Sequence, residues 1–287
     1  MGAGEACSVG SVLLELGDRK YDLSTRSLVM GILNRTPDSF YDRGEYWDID
    51  AFYARAERLV VDGADILDVG GVKAGPGPEV GEQEEMDRVL PAIAALHDRF
   101  DVALSVDTWR ASVAAESYRV GAVIGNDISG FGDPDYLRAA SEAGAAVVAT
   151  HIRLRPRVAD PDPHYDDLVG EVCAFLVERA GRARAAGIPD SRIVLDAGLD
   201  LGKTAAQSLE LLRASDRLAA LGWPLLLSAS NKTFLGAMFG LELGERFEAT
   251  LAAHSLGVTL GCRILRAHDV HAARRVCDTL AAVMEAQ

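Results

Sequence analysis

Leu28-Val29-Met30-Gly31-Ile32-Leu33-Asn34 is an apolar run that stops at an amide. The same event recurs along the chain. Apolar runs end at Asn34, Asp68, Asp107, Asn126, His151, Asp196, Ser230 and Arg266, at separations of 19 to 45 residues. Segments with helical spacing lie between most of them and commonly finish near a glycine. Strands that alternate with helices run parallel, because each return crossing has to be made by the intervening helix. Eight such units are the number that closes a (β/α)8 barrel, an α/β fold in which the strand C-termini converge on the face that carries the chemistry. The polar run ends therefore mark a cleft as well as an architecture.

Working outward, residues 12–16 and 20–23 flank Gly17-Asp18 and predict a β-hairpin ahead of the barrel. Barrel strands are expected over 28–33, 65–69, 102–106, 122–125, 145–150, 192–195, 224–228 and 263–265. Helices are expected over 50–61, 111–119 and 169–185. Met86, Val89, Leu90, Ile93 and Leu96 have the spacing of a core-facing helix, and so do Val270, Ala273, Val276, Leu280 and Val283. The Pro- and charge-rich stretch 153–167 reads as a long mobile loop. No second core is evident, so the expected organisation is a short tail over 1–10 and one barrel domain over 11–287.

The 287 residues are 49% hydrophobic and 25% charged, which suits a large buried core. A net charge of −14 argues against nucleic acid and anionic membrane as partners. An anionic ligand would have to be captured by a few local cations against that background. Cys7, Cys173, Cys262 and Cys277 show no metal or redox spacing and read as reduced thiols. No apolar run reaches 18 residues and the start lacks a signal-peptide pattern, so a cytoplasmic protein is expected.

A single Asp or Asn after a strand is usually a turn former or helix cap. Barrel closure changes the weight of the set by bringing its members together. Asp107, Asn126, Asp196 and Lys232 offer two carboxylates, an amide and an ammonium, which suit a flat heterocycle with an amidine-like edge. Arg266 and His268 end the last strand, a common phosphate-binding position in barrels, and Asn34 and Thr36 stand at the neighbouring mouth. Gly202-Lys203-Thr204 imitates the end of a P-loop, but the upstream glycine is one residue too close. His97, His164, His254 and His271 lack partners at ligand spacing and read as structural or solvated. Neither a zinc cluster nor a G-x-S-x-G elbow is present in the sequence.

At these residues the chain resembles dihydropteroate synthases. Met30-Gly31-Ile32-Leu33-Asn34-Arg35-Thr36-Pro37-Asp38-Ser39-Phe40 is similar to the family's MGILNVTPDSF segment. Ser105-Val106-Asp107-Thr108, Asn126-Asp127-Ile128-Ser129-Gly130 and Arg266-Ala267-His268-Asp269 match three further signatures. The resemblance implies a usually dimeric barrel. It binds 6-hydroxymethyl-7,8-dihydropterin pyrophosphate and joins the pterin to p-aminobenzoate. On that basis Asp107, Asn126, Asp196 and Lys232 hold the pterin, while Asn34, Arg266 and His268 hold the pyrophosphate. Mg2+ is implied at Asn34, the arylamine at Thr233, and catalytic roles in an active enzyme fall to Asp42, Arg266 and His268.

The departures from the family pattern are clustered. G-G-E-S-T-R-P-G is here Gly70-Gly71-Val72-Lys73-Ala74-Gly75-Pro76-Gly77, so the Glu, Thr and Arg positions are Val72, Ala74 and Gly75. S-R-K-S is Ser230-Asn231-Lys232-Thr233, and D-P-G-I-G-F-G-K acquires Asp200 and Leu201 in place of Gly and Phe. Met-His-Met is Thr150-His151-Ile152. Removing one charged or hydrogen-bonding donor from a transition state costs about 2.7–4 kcal/mol. Lys73 is two positions from the Arg site, and an ammonium does not reproduce a planar fork. The leading expectation is thus a synthase homologue with very low or no synthase activity that binds pterins or sulfa-type ligands. The alternatives are an active synthase that uses Lys73 and Thr233, and an enzyme acting on a different pterin or amine.

Overall fold

The computed structural model describes residues 13–35, 49–75 and 77–285. A hairpin of β1 (Leu13–Leu16) and β2 (Arg19–Asp22) leads into β3 (Leu28–Asn34), and the alternation begins there. It continues with α1 (Ile49–Val61), β4 (Ile66–Gly70), α2 (Glu82–Arg99), β5 (Ala103–Asp107), α3 (Ala111–Arg119), β6 (Ile124–Asp127), α4 (Tyr136–Glu142), β7 (Ala146–Thr150) and α5 (Leu168–Ala185). The second half holds β8 (Ile193–Asp196), α6 (Ala205–Arg213), α7 (Ser215–Ala219), β9 (Leu225–Leu227), α8 (Thr233–Ala237), α9 (Phe247–Thr259), β10 (Cys262–Ala267) and α10 (Val270–Glu285). Strands β3 to β10 pair in parallel and β10 closes onto β3, giving the eight-stranded barrel with a separate antiparallel hairpin.

Side-chain alternation divides the apolar residues into two cores. Leu28, Met30, Ile66, Ala103, Ile124, Ala146, Val148, Val194, Leu226 and Ile264 point inward and fill the barrel. Leu14, Leu16 and Leu23 join them from the hairpin side, so β1 and its neighbour close the N-terminal end as a plug. The intervening residues, such as Val29, Leu67, Leu104, Val147 and Leu195, point outward against the helices. Two-sided burial explains why the strands read as continuous apolar runs.

Most strands end later than the apolar runs that announce them, whereas β9, expected over 224–228, covers only Leu225–Leu227. β6 begins at 124 rather than 122 and runs through Asn126, and β10 reaches Ala267 rather than stopping at 265. Backbone pairing is indifferent to side-chain polarity, and Asp107 lies in register with Asn126 and Arg266 with Met30. Five helices went unread. α4, α7 and α8 are 7, 5 and 5 residues long, too short to establish a period. α6 holds only nine residues, and α9 has its few polar residues scattered among apolar ones and so shows no stripe. The 153–167 stretch forms neither helix nor strand, and it is tied at several points. Arg153 donates twice to Asp160 at 2.6 Å, Arg157 donates to the carbonyl of Pro78 at 2.7 Å, and Tyr165 donates to the carbonyl of Gly202 at 2.8 Å.

Candidate functional site

The parity that places Ile66, Ala103, Ile124, Val148, Val194, Leu226 and Ile264 inside the barrel places the following inward residues at its C-terminal end. Those are Asp68, Asp107, Asn126, Thr150, Asp196, Ser228 and Arg266. Six of them, without Asp68, line a cleft of about 180 Å³ together with Ala74, Ile128, Asp200, Leu201, Lys232 and Thr233. The four residues read from the sequence as a heterocycle site thus face one space, and Arg266 shares it.

Asp68 sits beneath this floor and is completely buried. It accepts from Ser105 Oγ at 2.6 Å, Asn126 Nδ2 at 3.1 Å and Arg266 Nε at 2.7 Å. Arg266 also donates to Asp107 Oδ2 at 2.7 Å, so one guanidinium bridges two acids. With its amide nitrogen committed to Asp68, Asn126 has its oxygen left to offer a ligand. Burial raises the Asp107 carboxyl to about 7; Arg266 opposes this rise and neighbouring Asp68 adds to it. Across the cleft, burial pushes Asp196 up and Lys232 down, and each draws the other back toward its charged form. Asp196 accepts from the Gly198 N–H at 2.7 Å, and Lys232 donates to the Leu199 carbonyl at 2.6 Å. Gly198 has φ +65°, and a Cβ there would collide with the carbonyl of His151.

The anion-binding residues proposed from the sequence stand around the β10 and β3 mouths. His268 Nδ1 lies 3.0 Å from Ser230 Oγ, and that oxygen accepts from the His268 backbone N–H at 3.2 Å. The Ser230 hydroxyl and the imidazole Nδ1 thus share one hydrogen bond. Burial, with Arg266 and Arg55 adjacent, pushes the imidazole down to about 3, so the ring is neutral at physiological pH. It acts there as a hydrogen-bonding group rather than a cation. Asn34 is partly exposed; its Oδ1 would lie 3.1 Å from a Cβ placed at Gly70, beside Asp107. Thr36 and Asp42 lie outside the described residues.

Of the altered positions, Ala74, Asp200, Leu201 and Thr233 line the outer cleft, and Thr150 lies in its buried floor. Val72 is buried, Lys73 is partly buried, and Ala74 and Gly75 are exposed, with Ala74 reaching the cleft. A Cβ at Gly75 would meet nothing within 4 Å. Asn231 adopts φ +56° and is partly buried. Asp200, also in a left-handed conformation at φ +65°, accepts from the backbone N–H groups of Thr233 at 2.7 Å and Phe234 at 3.3 Å. Its carboxylate is therefore held at the start of α8 beside Leu201 and Thr233. Behind the rim Lys203 is buried, donating to the carbonyls of Gly198 at 2.8 Å and Leu201 at 3.0 Å and lying 2.9 Å from His151 Nδ1. It braces the β8–α6 loop, which explains the conspicuous lysine without any phosphate.

Sequence reading assigned no site role to Asp68, Thr150, Ser228 or Ile128. The signal for the first three was the two-residue parity itself, since all lie within the expected strands 65–69, 145–150 and 224–228 at inward positions. Ile128 follows its strand and carried no such signal.

The pterin binding enzyme family matches residues 30–268. "Inactive dihydropteroate synthase 2" of Mycobacterium leprae is 43% identical over 264 residues, spanning 90% of this chain and 91% of that protein. Dihydropteroate synthase of Bacillus subtilis is 39% identical over 261 residues, spanning 90% and 89%. The crystal structure of Yersinia pestis dihydropteroate synthase in complex with a sulfonamide drug shares 37% identity and superposes with a TM-score of 0.91, covering 96% of this chain and 100% of the other. Agreement of fold, signatures and near full-length similarity shows that the chain belongs to the dihydropteroate synthase family of pterin binding enzymes.

Proposed function

We propose that this protein binds a pterin bearing a pyrophosphate and has very low or no ability to join it to p-aminobenzoate. The observation that carries this reading is a contrast within one cleft. Asp107, Asn126, Asp196, Lys232 and Arg266 line it, while the loop after β4 contributes Ala74 where a family member has Thr, followed by Gly75 where it has Arg. On this reading Asp107 and Asp196 accept from the N–H edge of the pterin, Asn126 offers its oxygen, and Lys232 donates to a ring acceptor. Arg266, His268 and Asn34 take the pyrophosphate, with Arg266 sharing its guanidinium between ligand and acids. The amide oxygen of Asn34 fits Mg2+, which uses few protein oxygens and completes its shell with phosphate oxygens and water. When bound, the ion would neutralise charge on the pyrophosphate.

In the synthase reaction the amine nitrogen bonds to the pterin methylene carbon as the C–O bond to pyrophosphate breaks, and the amine releases a proton. Negative charge builds on the leaving group. Two missing stabilising groups, at about 100- to 1000-fold each, bring turnover to a negligible rate. Similarity to an inactive synthase supports this reading, and similarity to the Bacillus subtilis synthase keeps the active alternative testable. Purified protein should bind 6-hydroxymethyl-7,8-dihydropterin pyrophosphate by calorimetry with Mg2+ and yield no measurable dihydropteroate with p-aminobenzoate. Turnover comparable to a working synthase, or no pterin binding, would overturn the proposal. We further infer a cytoplasmic homodimer. Among the described residues no helix is long and apolar enough to cross a membrane. The outward row Glu248, Ala252, Leu256 and Thr259 on α9 supplies a face with a single charge for pairing.

A further inference from the structure

The cleft has two parts of different character. Asn126, Thr150, Asp196 and Ser228 form a buried floor. Around them the rest of the lining, Ile128 excepted, is partly or fully exposed. On the reading above Asp107, Lys232 and Arg266 are engaged by the pterin and its pyrophosphate, which leaves Ala74, Asp200, Leu201 and Thr233 for a second ligand. Among them Asp200 bears the only charge, and it is negative.

The Asp200 carboxylate is held in place. One oxygen accepts from two backbone N–H groups, at Thr233 and Phe234, and its own N–H donates to Ser208 Oγ at 3.1 Å. The residue adopts φ +65°, a conformation that glycine takes freely and aspartate only at a cost. Family members have glycine here, so this chain carries a strained acid where none is sterically required. The protein's own carboxylate thus occupies both N–H donors, and they do not compensate a second anion. An aryl carboxylate would then meet a fixed like charge. Lys232, the ammonium that lines the cleft, already interacts with Asp196 and Asp200 and donates to the Leu199 carbonyl.

We propose that Asp200 sets the charge selectivity of the outer cleft, which accepts neutral or cationic aromatic amines and rejects those bearing a carboxylate. The inference rests on the pterin-binding reading above and names the class of co-ligand for the same site. It accounts for failure to use p-aminobenzoate by selection at the amine, independently of the missing loop cation.

The test is a pair of calorimetric titrations on protein saturated with 6-hydroxymethylpterin and inorganic pyrophosphate, a combination that cannot react. 4-Aminobenzamide should bind at least tenfold more tightly than 4-aminobenzoate. Asp200→Asn keeps an acceptor for Thr233 and Phe234 and tolerates the left-handed backbone, so it should fold and shrink that ratio at least fivefold. Asp200→Gly should shrink it similarly and serves if the first variant is unstable. Any general decrease in affinity cancels in the ratio. Equal binding of the two amines to the wild type, a ratio unchanged in the variants, or binding of neither amine overturns the inference while the pterin reading stands. Failure of the preceding pterin titration overturns both.

Discussion

Two acids, Asp68 and Asp107, share one guanidinium at the bottom of the cleft, and the second of them stands where a ligand N–H edge would dock. Its carboxyl is raised to about 7, so the charged acceptor is complete only above that pH. Pterin affinity is therefore expected to fall below pH 7, approaching tenfold per unit as Asp107 takes up a proton. The stability effect follows from the same shift. A carboxyl with a raised folded value favours the folded state fully below its unfolded value near 3.8, and that contribution is lost as pH rises through about 7. Asp107→Asn should weaken pterin binding by about 10- to 100-fold, the worth of a hydrogen bond to a charged group, and flatten the affinity–pH profile between 6 and 8. Calorimetry at four pH values checks both; an unchanged profile in the variant would assign the titration to another group. Asp107 was legible in the sequence as a polar strand end. Its raised value was not, because that depends on burial and on Asp68 and Arg266, which are 39 and 159 residues distant along the chain.

At the scale of the element, the loop after β4 is where the family pattern fails, and its backbone leaves room for repair. Gly75 has open space around its Cβ position, and Ala74 is exposed. The double substitution Ala74→Thr with Gly75→Arg should leave the thermal midpoint within a few degrees, as expected for exposed sites away from buried partners. If the altered loop limits chemistry, the double variant gains measurable dihydropteroate synthesis, at least about 100-fold above the detection limit that the wild type does not reach in a coupled assay. No gain would shift the defect to the rim formed by Asp200 and Leu201. That rim shows what sequence reading missed about elements. In the sequence Asp200 reads as an acid in place of a glycine of the family pattern. In the structure it also accepts from the first N–H groups of α8, a helix too short to announce itself. Lys203 reads as a failed phosphate motif and proves to be a buried brace, since its acceptors come from the loop's own carbonyls and from His151 across the strand ends.

For the whole molecule, the barrel closes at one end with the hairpin plug and at the other with the cleft, which leaves the helical rim for association. α9 is apolar overall, and its outward row carries Ala252 and Leu256 between Glu248 and Thr259. Leu256→Glu on its outward row should shift a dimer toward monomer by sedimentation at micromolar concentration while the circular dichroism spectrum is retained. An unchanged dimer would place the interface elsewhere. The architecture itself was readable from sequence, because strand-length apolar runs alternating with segments of period near 3.6 are a local property of the chain. The polar residues available to the cleft were readable for the same reason. Tertiary structure alone decided their pairing. Closure of β10 onto β3 brings Arg266 to Asp68 and Asp107, and the β8 and β9 loops meet through Asp200 and Lys232. Those pairings join residues far apart in sequence. The balance of burial against neighbouring charge, which sets the chemistry of the site, exists only once the ring of strands is shut.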